Sequence, residues 1–326
     1  VQRWRTLEQI PDDLGRCVVT LGNFDGVHRG HRAVLDRCVS RAREEGGAAV
    51  AVTFDPHPLA VLRPEAAPAL ITSTAQRLDL LEHAGLDGVL LMEFTRELAS
   101  WSPERFVQEV FVDALHACAV VVGADTRFGV KNSGDVQTLA ALGEQHGFDV
   151  VVVEDVGEEQ TARWSSSQVR TLLAEGEVGQ AAELLARAHT VGGVVVHGHH
   201  RGREIGYPTA NLAQDSDGLV PADGVYAGWL LRPEVEASDP DAVLPAAISV
   251  GTNPTFAGVE RTVEAYVLDR DDLDLYDEHV VVEFVERLRP MLRFDSVDDL
   301  IARMAEDVDR ARALLAPGRE ARASRR

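Results

Sequence analysis

Residues 17–45 read CVVTLGNFDGVHRGHRAVLDRCVSRAREE, and how they divide decides the fold. Cys17–Leu21 is a short apolar run, the pattern of a strand buried on both faces of a parallel sheet. In His31–Glu45 the period changes, with Val34, Leu35, Cys38, Val39 and Ala42 on one helical face. Between them lies the glycine-rich turn Gly22-Asn23-Phe24-Asp25-Gly26-Val27-His28-Arg29-Gly30-His31. Glycines let the backbone approach a ligand closely, and a helix start offers unpaired N–H donors with partial positive charge. The stretch therefore predicts the first βα unit of a doubly wound sheet, with phosphate-binding chemistry at its turn.

The same alternation continues outward. Ala48–Thr53, Gly88–Met92, Ala119–Val122 and Asp149–Val153 read as further buried strands. Ser73 with Gln76 predicts a capping-box helix start for the segment to Ala84, and Ser102-Pro103-Glu104 opens another helix. Beyond a helical pattern at Gly179–Ala188 the reading changes. Val191–Val196, Gly224–Leu231, Ala246–Val250, Arg261–Leu268 and Val280–Val285 are strands separated by Gly, Pro and Asp turns, with an exposed hairpin loop at Arg232–Asp241. A capped helix, Ser296–Leu315, follows, and Gly318–Arg326 reads as a frayed tail. The expectation is an α/β Rossmann-like domain over residues 1–188, then a small antiparallel β-barrel with a C-terminal helix over 189–326.

Composition narrows the function. The 326 residues suit two domains, and 45% hydrophobic with 26% charged residues is the balance of a globular protein. A formal net charge of −21 argues against a nucleic-acid reader, which normally shows a basic face. Cys17, Cys38 and Cys118 form no CxxC pair, which fits a reducing cytoplasm. The N-terminal residues lack a signal-peptide core, and no run approaches the ~20 apolar residues of a membrane span. Lys131 is the only lysine, so no Gly-Lys-Ser/Thr loop exists and any phosphoryl transfer must proceed without a P-loop lysine.

Chemistry-bearing residues gather at the carboxyl ends of the predicted parallel strands, where open α/β sheets bind ligands. After the first strand stand His28 and His31, donors suited to phosphate oxygens; a packed histidine or half of a zinc site are the other readings of each. The second strand ends in Phe54-Asp55-Pro56-His57-Pro58, and the fourth in Gly123-Ala124-Asp125-Thr126-Arg127-Phe128-Gly129. Ser165, Ser166 and Ser167 begin a helix with Arg170 about one turn inside; this is either a triphosphate cradle or a plain N-cap. In the second half, the glycines of GHHRGREIG at 198–206 bracket a turn able to wrap phosphates, and its histidines also admit a metal reading. Pro208-Thr209-Ala210-Asn211 offers a hydroxyl and a carboxamide for Mg²⁺ or phosphate, or is simply a turn. By strand alternation Glu264 shares a face with Thr262, Tyr266 and Leu268, as a base toward a hydroxyl or as a solvated carboxylate.

In order, GNFDG with HRGH at 28–31, FDPHP, GADTRFG and SSSQVR at 165–170 resemble the signatures of the nucleotidylyltransferase superfamily and the N-terminal module of the bifunctional prokaryotic riboflavin kinase/FMN adenylyltransferase (FAD synthetase) family. GHHRGREIGYPTAN at 198–211, PADGVYAG at 221–228, SVGTNPTF at 249–256 and VEAYVLD at 263–269 resemble its riboflavin kinase module. The resemblance covers nearly the whole chain. It implies ATP contacts in the adenylyltransferase from Gly22, Phe24, His28, Gly30, His31, Ser165, Ser166, Ser167 and Arg170, with His28 and His31 catalytic. Flavin contacts there fall to Asn23, His57, Asp125 and Phe128. In the kinase it implies ATP binding by Gly198, Arg203, Gly206, Thr209 and Asn211, Mg²⁺ held by Thr209 and Asn211, and Glu264 as the base on the riboflavin 5′-hydroxyl. Arg289 and Phe294 are expected in a flavin-covering loop. The chain departs from the family pattern at Ser167, Ala257, Asp277 and His199-His200.

The implied activity is riboflavin + ATP → FMN + ADP, then FMN + ATP → FAD + pyrophosphate, in the cytoplasm, with small-molecule partners and without nucleic acid or membrane. Two rivals stay open on the sequence: a flavin-binding protein without turnover, and a nucleotidylyltransferase with a different acceptor.

Overall fold

The computed structural model describes residues 1–154, 164–197, 206–214, 216–255 and 258–323, with backbone alone at 253–255, 258–260 and 319–323. The chain forms two compact units, Val1–Ser166 and Ser167–Arg326.

The first unit is built on a six-stranded sheet, all of it parallel. Its strands are β1 (Gln2–Trp4), β2 (Cys17–Leu21), β3 (Ala48–Asp55), β4 (Gly88–Glu93), β5 (Ala117–Gly123) and β6 (Asp149–Val153), in the order β1-β4-β3-β2-β5-β6. The period-2 alternation of strand side chains divides the core in two. Val19, Val52, Leu90 and Val120 point to one side, where they meet Phe106, Val110, Phe111 and Leu139. Val18, Ala51, Val89 and Val121 point to the other, against Leu35, Cys38, Ala42 and Leu81. Both faces are thus covered by helices, which is why the strands read as continuous apolar runs.

Those helices are α1 (Arg29–Glu45), α2 (Pro58–Leu62), α3 (Thr74–His83), α4 (Pro103–Phe106) and α5 (Val136–His146). The capping box at Ser73 and Gln76 is present in full, and Ser102 caps α4 as its sequence predicts. After α4 the chain widens into a π-helix, Val107–Ala114, which keeps Val107, Val110 and Phe111 buried. Strand β1 is absent from the sequence reading. It is three residues long, and Trp4 is its only buried side chain, packed over Gly88.

The unit boundary falls at the first residue of α6 (Ser166–Glu175); the second unit holds the rest of that helix and α7 (Val178–Leu185) and then forms a closed antiparallel barrel, β10-β11-β8-β7-β12-β9. Its strands are β7 (His189–Val196), β8 (Ala210–Leu212), β9 (Gly224–Leu231), β10 (Val243–Thr255), β11 (Gly258–Val267) and β12 (His279–Pro290). Strand β8 lies within the segment read as a turn; it is short, and only its neighbours β7 and β11 reveal it. Ala222 N–H donates to Leu173 O and Arg287 to Glu175 O, so the end of α6 is bound to barrel residues. Inside the barrel the fully buried Tyr226 and Phe284 rings meet edge to face, 5.2 Å apart.

The last helix, α8 (Val297–Ala323), starts with Ser296 accepting from Asp299 N–H and buries Ala311 and Leu315 against Val225, Trp229 and Leu288. It continues through Pro317, where the sequence predicts a frayed end. Gly318 explains the difference: its Cα lies so close to the Trp229 indole that a Cβ there would sit 3.0 Å from the ring. Tertiary contact holds a turn that local propensity would not.

Candidate functional site

In the first unit the order of connection reverses between β2 and β5, the switch point at which a doubly wound sheet opens a crevice beyond its strand ends. The loop from β2 into α1 is held in a demanding backbone, with positive φ at Phe24 (49°), Gly26 (81°) and Val27 (41°). Such conformations persist where surrounding contacts over-determine them. The buried Asp25 carboxylate accepts from the N–H groups of Ile71 and Thr72, both at 3.1 Å, and Gly26 N–H donates to Thr72 Oγ1. Ser166 Oγ donates to the Asp25 carbonyl at 2.9 Å.

This loop delivers the two histidines together. His28 is the N-cap of α1, its Nδ1 accepting from His31 N–H at 3.4 Å, so its ring proton belongs on Nε2. The His28 and His31 rings stack at 3.7 Å, and Phe24 meets His31 edge-on at 5.3 Å. Burial, and then the neighbouring His28, hold the His31 imidazole well below the usual histidine range. His31 is therefore neutral near pH 7, and its shielded Nδ1 has no hydrogen-bond partner among the described residues. Gly30 lets the pair close: a Cβ there would meet the His28 ring at 3.1 Å and the Trp164 carbonyl at 3.4 Å.

The remaining residues expected at this site are placed as follows. Gly22 lies under the Phe24 ring, and Phe24 itself is buried. Asn23 is half-buried, its carbonyl accepting from Thr53 Oγ1 and Arg77 Nη1. His57 caps α2, with Nδ1 accepting from Leu59 N–H. Asp125 is exposed past the end of β5, its carboxylate curled beside Gly123. Phe128 is buried in a row of aromatic rings, 6.2 Å from Phe106, which in turn lies 6.4 Å from Phe54. Ser165 is half-buried; Ser167 is exposed and Arg170 half-buried on α6. Arg77, which no periodicity singles out, is the residue the sequence reading missed. Its only signal is a cation on a helix face that should be apolar.

In the second unit the barrel brings four oxygen-bearing side chains together. Asn211 on β8 stands directly opposite Glu264 on β11, and Ser249 on β10 faces Glu264 from the other side. Thr209, two residues before Asn211, shares its face. Thr209 Oγ1 donates to Glu264 Oε2 at 3.4 Å, and Asn211 Nδ2 donates to Thr209 O at 3.1 Å. Val263, Ala265 and Val267 are buried on the opposite face of β11, so Glu264 and Tyr266 are half-buried on the face that the alternation predicts. Tyr207 packs edge-on against Tyr266 at 5.2 Å. Gly206 takes a φ of 88° at the entry to this turn, a conformation that favours glycine. Gly198, Arg203, Ala257 and His199-His200 lie outside the described residues.

One expectation is corrected here. Arg289 is inside β12, not in a loop, and it is buried. Its guanidinium donates to Asp307 of α8 at 2.8 Å and lies 5.7 Å from the Phe294 ring. The buried counter-charge on α8, distant in sequence, draws Arg289 inward, and only Phe294 follows the strand end.

Comparison with known proteins bears on both sites. A family model described as FAD synthetase matches residues 10–168, and one described as riboflavin kinase matches 185–315. The chain is 36% identical over 301 residues to a bifunctional riboflavin kinase/FMN adenylyltransferase of Escherichia coli, covering 92% of this chain and 93% of the other. It is 37% identical to the protein of that description from Pseudomonas fluorescens, with 97% and 99% covered. Among solved structures, one described as a macrolide-efflux protein from Streptococcus pneumoniae matches with a TM-score of 0.83 and 30% identity over 95% of this chain and 98% of that one. Among the described residues of the present chain, no helix is long and apolar enough to cross a membrane.

Proposed function

The chain belongs to the bifunctional riboflavin kinase/FMN adenylyltransferase family, and on that premise we propose which residues carry the two reactions. The protein phosphorylates riboflavin to FMN with ATP and adenylylates FMN to FAD, releasing pyrophosphate. In this reading residues 1–188 hold the adenylyltransferase and 189–326 the kinase.

The observation that carries the kinase assignment is the register that sets Asn211 opposite Glu264 with Thr209 alongside. In this reading the Glu264 carboxylate accepts the proton of the riboflavin 5′-hydroxyl as its oxygen bonds to the γ-phosphorus of ATP and ADP leaves. Hydroxyl, carboxamide and carboxylate are hard oxygen donors, so Thr209 and Asn211 suit Mg²⁺, which keeps most of its ligands as water and phosphate. Bound there, Mg²⁺ would supply the charge neutralisation that the chain lacks without a P-loop lysine. By motif, Gly198, Arg203 and Gly206 contact the ATP phosphates, and Phe294 closes over the flavin with Arg289 behind it.

In the adenylyltransferase an FMN phosphate oxygen attacks the α-phosphorus of ATP, and the bond to pyrophosphate breaks. The attacking group is already ionised, so the protein's task is alignment and stabilisation of the developing charge. His28, with its ring proton on Nε2, and neutral His31 serve as donors, and the N–H groups of Arg29 and Gly30 at the start of α1 add to them, that of His31 being taken by His28. By motif, Ser165, Ser166, Ser167 and Arg170 hold the triphosphate, Gly22, Phe24 and Gly30 shape the ATP side, and Asn23, His57, Asp125 and Phe128 shape the flavin side.

The test uses Glu264→Gln, with flavins separated by chromatography after incubation with ATP and Mg²⁺. FMN formation from riboflavin should fall at least about 100-fold, the scale of general-base catalysis, while FAD formation from supplied FMN persists. FMN formation at the wild-type rate would refute Glu264 as the base.

A further inference from the structure

Beyond the histidines, the adenylyl-transfer site contains a buried cation that no motif assigns. Arg77 stands in the first turns of α3 and is 3% exposed. Its Nη1 donates to Asn23 O at 3.0 Å and its Nη2 to Phe54 O at 2.9 Å. These two carbonyls lie at the carboxyl ends of neighbouring parallel strands, β2 and β3. There the backbone presents oxygen atoms toward the place where a polyanion must sit. Burial penalises its charge, with the nearby Asp55 and Asp25 offsetting part of that cost. No carboxylate forms an ion pair with it among the described residues, and its Nε has no partner. An arginine whose only task is to tie two loops together would be expected to have a counter-ion, because a buried charge without one is costly.

We propose that Arg77 is a positioning residue for adenylyl transfer: it fixes the Gly22–His28 loop through Asn23 and offsets the strand-end carbonyls, its own charge being matched when the triphosphate arrives. The Asp25–Ile71–Thr72 contacts and the Arg77–Asn23 contact tie the same loop to a single segment, Ile71–Arg77, just ahead of and within α3. This segment thereby sets the positive-φ residues Phe24 and Val27 and, through them, the His28–His31 stack. The inference rests on reading the His28 loop as the adenylyl site.

The experiment compares Arg77→Met, Arg77→Gln and Arg77→Lys in the full-length protein. FAD formation from FMN, and its reversal by pyrophosphate, report the adenylyl site alone, and FMN formation from riboflavin reports the kinase in the same sample. Arg77→Met should lower kcat of FAD formation about 100-fold, the loss expected for a misplacement near 1 Å. It should also raise KM for pyrophosphate, with FMN formation unchanged. Arg77→Lys, which keeps the charge, should recover at least tenfold of that loss. A folded Met variant within threefold of wild type overturns the proposal. So do Lys and Met variants of equal activity, since shape and not charge would then govern. If Met does not fold, the comparison of Lys with Gln decides on the same criterion. His28→Ala separates the premise: full FAD formation in that variant would refute the site itself, whatever Arg77 does.

Discussion

Gly30→Ala separates catalysis from folding at a single Cβ. The added carbon would stand 3.1 Å from His28 Cε1, 3.2 Å from its Nδ1 and 3.4 Å from the Trp164 carbonyl oxygen, and ordinary contact begins near 3.4 Å. The imidazole must therefore retreat by about 0.3 Å, because the Trp164 backbone closes the opposite side. If a misplacement of 1 Å costs about 100-fold in rate, a retreat of this size costs about fourfold. Gly30→Val, with two further carbons on the same side, should lose at least another tenfold, on the same scale of about two decades per ångström. Stability should move the other way for Ala. Gly30 lies in α1, where replacing glycine by alanine favours the helix by roughly 0.5–1 kcal/mol. The assay is initial-rate FAD formation from FMN and ATP, beside FMN formation from riboflavin and thermal unfolding of the same preparations. Unchanged FAD formation in both variants would refute the view that Gly30 exists to let His28 close. Parallel loss of both activities would mean that the substitution acts by unfolding.

Three further outcomes follow from particular contacts. Asp307→Asn leaves the buried Arg289 guanidinium short of its counter-charge, and denaturant unfolding of the second unit should show a loss of about 3 kcal/mol or more. Because His31 is held neutral in the folded state, the unfolded chain binds the extra proton below the ordinary histidine value of 6.5. Stability should therefore be full above that pH and fall as pH drops below it, by up to about 1.4 kcal/mol per unit until the folded-state group also titrates; His31→Gln should flatten that limb in unfolding measured from pH 7 to 5. Truncation after Ala316 removes Gly318 from the Trp229 indole, which is 4% exposed, and should shift the tryptophan fluorescence to the red.

Much of this was legible along the chain. The run Cys17–Leu21 and the face Leu35, Cys38 and Ala42 appear as strand and helix because burial on one or two faces imposes a period that single residues display. The capping box at Ser73 and Gln76 was visible for the same reason, since a cap is settled within four residues. Glu264 fell on the predicted face of β11 because alternation fixes direction once a strand is granted. What escaped were short pieces and distant partners. Strands β1 and β8 are three residues each, too short for a period to show. Arg289 reads from the sequence as part of a loop because its counter-charge, Asp307, lies on a different element.

By itself, then, the sequence determined the two architectures, the glycine-bounded loops and the residue types available for phosphate chemistry. Those properties follow from local periodicity and from backbone conformations that few residues tolerate. Only the tertiary structure decided that His28 and His31 stack, that Asn211 stands opposite Glu264, and that Arg77 grips the ends of two strands. These depend on strand order, register and burial, which arise when segments far apart in the chain share one core and leave no mark in the spacing of either segment.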